Sequence, residues 1–443
     1  GLPSADVRWW TRATPASYAP PGHEELSFGP WSPWWGPPAS AGAQTSERLE
    51  GTTDALGEHR LAVHFEAMNP ARPYSVRAEA TVLDVNRQAW TAAEELLVHP
   101  ADRYVGLRAD RAFYDAGDDV EIRALVTDID GAVTPGVPVE MEMVRLRSRY
   151  ARGRLEEEEL DAERCRIESG DDPERCTFHP QVGGAYWVRA EIRDELGRLN
   201  RTELRLWVAG GETPPARRVE RESLTLVPEK EAYRPGETAR LLIQSPFHPA
   251  EALLTVRRSG LVREERFRLD GPTATVEVPI REAHIPGVTV QVDVAGSAPR
   301  ADDDGRPRDD LPRRVAYASG SVTFRVPPLE RTLDVRVAPA EEALAPGGET
   351  TLKLEVRDAA GAPVSGAELA VVAADEAVLA LTGYELPDPI DTFYAARRAG
   401  VRDVHSREHV VLGDPERLPE GGGALGATNA PAVPMAQQTR VTV

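Results

Sequence analysis

Leu352-Lys353-Leu354-Glu355-Val356-Arg357-Asp358 leads through Gly361, Pro363 and Gly366 into Ala367-Glu368-Leu369. Apolar and charged residues alternate before the turn, the period of a strand with one face in a core and one in water. Gly and Pro supply the dihedrals that a hairpin needs. The same pattern stands earlier, where Ile122-Arg123-Ala124-Leu125-Val126-Thr127-Asp128 leads through Gly131 and Pro138 to Val139-Glu140-Met141. Each is preceded by an aromatic residue or Leu, two residues, a Gly and an acid: Tyr114-Asp115-Ala116-Gly117-Asp118 and Leu344-Ala345-Pro346-Gly347-Gly348-Glu349. A further copy is Tyr233-Arg234-Pro235-Gly236-Glu237, whose following strand meets Pro246 where the others carry Asp and a turn. The copies recur at roughly 110 to 120 residues, the size of one β-sandwich.

The rest of the chain agrees. Its 443 residues exceed a single core and suggest about three to four domains. A count of 36 Gly and 38 Pro suits a turn-rich β array rather than a helical protein. Tyr74-Ser75-Val76-Arg77-Ala78-Glu79 returns as Tyr186-Trp187-Val188-Arg189-Ala190-Glu191, and Asp84-Val85-Asn86-Arg87 answers Asp194-Glu195-Leu196-Gly197-Arg198. Further strands are expected at Val7-Arg8-Trp9-Trp10-Thr11-Arg12 and at Arg60-Leu61-Ala62-Val63-His64-Phe65. Residues 20–38, rich in Pro, Gly and Trp, read as a loop. So do the charged excursions at 145–163 and 301–314, as solvated loops or hairpin tips. The fold class is all-β, with tandem Ig-like or fibronectin-III-like sandwiches at 1–100, 101–211 and 219–328. The first part of another follows at 329–394, and a flexible segment at 395–443.

The formal net charge of −20 argues against a phosphate-backbone partner, which needs clustered Lys and Arg. No stretch approaches the roughly 18 apolar residues of a membrane span. The opening Gly1-Leu2-Pro3-Ser4 reads as mid-chain, so a fragment of a longer polypeptide is expected. Cys165 and Cys176 flank the turn Gly170-Asp171-Asp172-Pro173. They are placed to form a disulfide across a hairpin; two unrelated thiols are the alternative, and the close spacing favours the bridge.

Motifs for chemistry are weak. His405-Ser406-Arg407-Glu408-His409 matches H-x-x-E-H, but a zinc site needs that motif on a rigid helix with a third ligand, and here it lies between Gly400 and Gly413. Asp128-Ile129-Asp130-Gly131 resembles a calcium loop but carries Val139 at the position of the essential Glu. The phosphate loop, the dinucleotide fingerprint and the G-x-S-x-G elbow are missing from the sequence. No catalytic, metal or cofactor site is expected. Residues 395–443 instead offer cleavable side chains: Arg397, Arg398, Arg402, Arg407, Arg417 and Arg440 for trypsin-like proteases, Leu418 and Met435 for others. Extended backbone is what a protease requires, although a plain linker looks much the same.

Val371 through Asp375-Glu376-Ala377-Val378-Leu379-Ala380-Leu381-Thr382-Gly383-Tyr384 to Leu386-Pro387-Asp388-Pro389 resembles the bacterial alpha-2-macroglobulin family. Asn200-Arg201-Thr202-Glu203-Leu204 with Trp207-Val208-Ala209-Gly210-Gly211, and Ile280-Arg281-Glu282-Ala283-His284-Ile285-Pro286, look like the same family. Relatives commonly carry Val-Asp-Glu where this chain has Ala374-Asp375-Glu376. The resemblance implies macroglobulin-like domains followed by a bait region at 395–443, in a non-enzymatic trap that encloses endopeptidases after bait cleavage and conformational change. It implies a periplasmic, cell-surface or extracellular location, with no nucleic-acid partner and no membrane contact from these residues; any lipid anchor would sit on a preceding N-terminus. Many members carry a Cys-x-Glu-Gln thioester, and neither Cys165 nor Cys176 is followed by that pattern. The competing expectation is a surface or adhesin-type array of Ig-like domains whose tail is a linker.

Overall fold

The computed structural model describes residues 2–35, 44–63, 71–83, 88–151, 154–211, 222–301, 307–341, 347–372, 381, 383 and 387–404. Nearly all of its regular structure is β. The first sheet has four antiparallel strands in the order Thr45–Thr52, Asp6–Pro15, Tyr74–Leu83, Ala89–Val98. The strand expected at residues 60–65 does not form over 60–63, and 64 and 65 lie outside the described residues. Asp6–Pro15 has both of its edges paired, by Thr45–Thr52 and Tyr74–Leu83, and residues 60–63 add to neither outer strand of the sheet.

A three-stranded sheet (Glu174–Phe178, Val120–Asp128, Arg103–Ala109) then faces a five-stranded one. The larger sheet runs Phe113–Tyr114, Leu199–Val208, Gly184–Arg193, Pro138–Ala151, Arg154–Glu168. Gly184–Arg193 shows the cause: Tyr186, Val188, Ala190 and Ile192 point inward to meet Leu107, Ile122 and Val126 of the other sheet. Its outward Arg189 pairs with Glu159 across the sheet at 2.6 Å. The next sandwich repeats the plan. Its five strands are Glu222–Ser223, Arg314–Arg325, Gly287–Ala298, Ala250–Arg257 and Leu261–Leu269. They face Thr225–Pro228, Thr238–Gln244 and Thr273–Pro279 over a core of Leu241, Ile243, Val290, Val292 and Phe324. Leu333–Pro339 and Leu352–Asp358 form a separate antiparallel pair.

The repeated sequence signature is a repeated piece of geometry. Gly117, Gly236 and Gly347 have φ of 90°, 93° and 83°, a region that favours Gly over residues with a Cβ. The preceding aromatics Tyr114 and Tyr233 are buried. The Gly117 and Gly236 N–H groups both close back onto a carbonyl, that of Pro180 and that of Ile280. The Asp ending each repeated strand is a turn-former. Asp128 Oδ1 accepts from the N–H groups of Asp130 and Ala132 at 2.9 and 2.8 Å, and Asp358 Oδ1 does the same for Ala360 and Ala362 at 3.0 and 2.9 Å. The Asp128 carboxylate is thus engaged in holding its own turn.

Of the two forms expected for the excursion at 145–163, it takes the hairpin tip: it is the outer part of a long hairpin, with Arg145 opposite Leu160 and Ala151 opposite Arg154. Opposite charges explain its extension: Arg147 pairs with Glu158 at 2.7 Å and Arg145 with Asp161 at 2.6 Å. Two expectations need correction. Ala367-Glu368-Leu369 forms no strand; after the turn the chain returns to Leu352–Asp358 only through the bridge between Arg357 and Pro363. Cys165 and Cys176 are disulfide-bonded, with Cα atoms 6.2 Å apart, but not across a hairpin. Their strands, Arg154–Glu168 and Glu174–Phe178, are edge strands of opposite sheets. The chain changes sheets at 169–173, so the bridge joins the two layers.

The two sandwiches meet at a second apolar cluster. Phe113 and Trp207 of the first contact Val227 and Leu242 of the second, and Trp31 and Trp35 of the N-terminal loop close over them. That loop lies along the 103–208 sandwich, with Ser27 bridging Leu107 and the Gly29 N–H bonded to Thr202 Oγ1 at 2.9 Å.

Candidate functional site

The segment expected to be cut begins where the chain leaves the short helix Pro389–Phe393. Leu386-Pro387-Asp388-Pro389 is a helix-start signal: Asp388 is the N-cap, its Oδ1 accepting from the Ile390 N–H at 2.7 Å, and Pro389 opens Pro389–Phe393. This one turn delivers Tyr394, whose ring lies half-buried against the core of the 222–325 sandwich. Arg331 Nη1 donates to Tyr394 Oη at 3.1 Å, with its guanidinium 5.6 Å from the ring centroid, and also pairs with Glu282 at 2.6 Å.

Residues 395–404 contain neither helix nor strand, as extended chain should, and they are anchored further along. The Gly260 N–H donates to Ala399 O at 2.9 Å. Gly400, at φ 71°, lies so close to the Ser259–Gly260 backbone that a Cβ would meet it at 2.9 Å. Asp403 receives two hydrogen bonds from Arg257, Nη1 at 2.6 Å and Nη2 at 2.8 Å. Arg257 ends the strand Ala250–Arg257 with a side chain only 6% exposed, and it also donates to Gln291 Oε1 and Thr255 Oγ1, both at 2.8 Å. A carboxylate and two further acceptors thus take four of the five N–H donors of this buried guanidinium. Between these anchors an open groove of about 480 Å³ is lined by Arg257, Arg258, Pro286, Arg325, Tyr394 and Arg397. Burial, and then the nearby Arg397 charge, push the Arg258 pKa down.

Arg397, Arg398 and Arg402 are exposed on this anchored stretch. Arg407, Arg417, Leu418, Met435 and Arg440 lie outside the described residues, as do His405 and His409. Sequence reasoning missed Arg257, Gly260 and Arg331, because no local pattern couples them to residues so distant in the chain.

A family model described as the alpha-2-macroglobulin bait region domain matches residues 224–381. An alpha-2-macroglobulin homolog of Nostoc is 26% identical over 96% of this chain and 23% of its own length. One from Deinococcus radiodurans is 29% identical over 48% of this chain and 19% of its own. Over nearly its whole length the chain is similar to bacterial alpha-2-macroglobulin homologs. Among solved structures, the native conformation of the Escherichia coli alpha-2-macroglobulin covers 96% of this chain and 27% of its own, at 16% identity and a TM-score of 0.36. The chain spans about a quarter or less of the alpha-2-macroglobulin homologs named here. The matched stretch covers the 222–325 sandwich from residue 224 onward, on which residues 394–403 are anchored, and stops at residue 381.

Proposed function

We propose that this chain is part of a broad-spectrum endopeptidase inhibitor whose bait region is residues 395–443. Macroglobulin-like sandwiches at 1–100, 101–211 and 219–328, and the first part of another at 329–394, carry that bait. Endopeptidases are the partners, first as the agents that cut it and then as the trapped target; the chain does no chemistry of its own and uses no cofactor. The carrying observation is the match of the bait-region-domain model to residues 224–381, followed by a segment with six arginines. The Cys165–Cys176 bridge supports an oxidising compartment, periplasmic or extracellular.

Brief digestion with trypsin and, separately, an elastase-like enzyme tests the reading. The expected outcome is one large N-terminal product ending beyond Tyr394 with both enzymes, located by mass spectrometry. First cuts at 145–163 or 301–314, with 395–443 intact, would overturn it. Trapping itself is checked on the full-length protein, which should become more compact after cleavage and retain a protease active on small substrates but not on large ones.

A further inference from the structure

We propose that residues 394–403 are a strap clamped to the 222–325 sandwich by Arg257 and Asp403, and that the clamp fixes where the cleavable segment begins. The inference rests on the bait reading and deepens it: bonds after Arg397, Arg398 and Arg402 are withheld from proteases, and cutting starts beyond Asp403.

Three arginines, each a trypsin site by sequence, lie on a stretch fixed at both ends. Tyr394 is held against the sandwich and by Arg331 at one end, and Asp403 is held by Arg257 at the other. Their side chains are exposed, so a protease can reach them; what it lacks is the backbone. Endopeptidase clefts take the scissile stretch as an extended strand through main-chain hydrogen bonds, much as a sheet edge takes an added strand. Ala399 O is already occupied by the Gly260 N–H, and Gly400 lies against Ser259 and Gly260 too closely for anything to pass between. Cleavage at Arg398 or Arg402 therefore requires the strap to lift, a local opening that exposes the Arg257 guanidinium. Arg257 resists this, because its charge is buried and Asp403 is the carboxylate that compensates it. The clamp thus converts a continuous run of arginines into a protected part and an available part.

The test is timed trypsin digestion of the intact protein and of two variants, with cut sites mapped by mass spectrometry. Asp403→Ala removes the carboxylate. Gly400→Val breaks the close approach without touching Arg257. Both changes lie on the strap, outside the sandwich core. In the wild type the first cuts are expected after Arg407 or Arg417, with the bonds after Arg397, Arg398 and Arg402 intact. In both variants cleavage at those three bonds should accelerate about tenfold or more, since proteolysis of a locally opened segment follows its open fraction. Wild-type cutting at Arg397, Arg398 or Arg402 as fast as at Arg407, or unchanged rates in either variant, would overturn the strap and leave the bait reading standing. A wild type uncut anywhere in 395–443 would overturn both.

Discussion

Cys165 and Cys176 sit on edge strands of opposite sheets of the 103–208 sandwich, so their disulfide ties the two layers at one edge. Cys176 is buried in the shared core, and Cys165 packs against it. Closing the short loop between them, with a sequence separation of 11, restricts the unfolded chain by about 3 kcal/mol. The Cys165→Ala/Cys176→Ala variant is therefore expected to lose about that much stability, read as a lower urea midpoint with little change in slope. An unchanged midpoint would mean that the core alone holds the layers together.

Leu242 should couple the two sandwiches. It is fully buried in the cluster with Phe113 and Trp207, which belong to the neighbouring sandwich. Leu242→Ala is expected to cost about 2–5 kcal/mol, the range for emptying a buried Leu site. Because the cavity lies between two bodies, calorimetry should show one transition separating into two. A trace that moves downward as a whole would place the residue's effect in the 222–325 sandwich alone.

A pH effect is expected from His284. The ring is buried in the one-turn 3₁₀ helix Glu282–His284, and its Nδ1 accepts from the Arg281 N–H at 3.2 Å. Burial, then the charges of Arg281 and Arg258, lower its pKa below the usual 6.5. Below that value the unfolded chain binds a proton that the folded one resists, so the stability owed to neutral His284 is full above about pH 6.5 and is lost as pH falls below it. Urea unfolding at pH 7.5 and pH 5.5 should show this loss, and His284→Asn should reduce the pH dependence. His99 shifts in the same direction through burial, so the comparison is between wild type and variant rather than between two pH values alone. An equal pH dependence in both proteins would remove His284 from the account.

Sequence by itself determined the local rules. Alternation placed Tyr186, Val188, Ala190 and Ile192 on one inner face, because a strand has a period of two whatever it pairs with. The signature glycines marked Gly117, Gly236 and Gly347, because only local backbone sterics decide who tolerates those φ values. Asp128 and Asp358 marked their turns, because each bonds to N–H groups within four residues. Tertiary structure decided whatever depends on which strands find a partner. Residues 60–63 and 367–369 have strand-like composition but join no ladder, whereas 145–163 has loop-like composition and is held as a hairpin by opposing charges. It also decided that the cysteines span two sheets, since spacing shows only that they are near. The anchorage of the candidate cleavage segment belongs to the same class. Arg257 and Asp403 are 146 positions apart, and their pairing exists only because the 222–325 sandwich brings a buried cation to the surface over which residues 394–403 run.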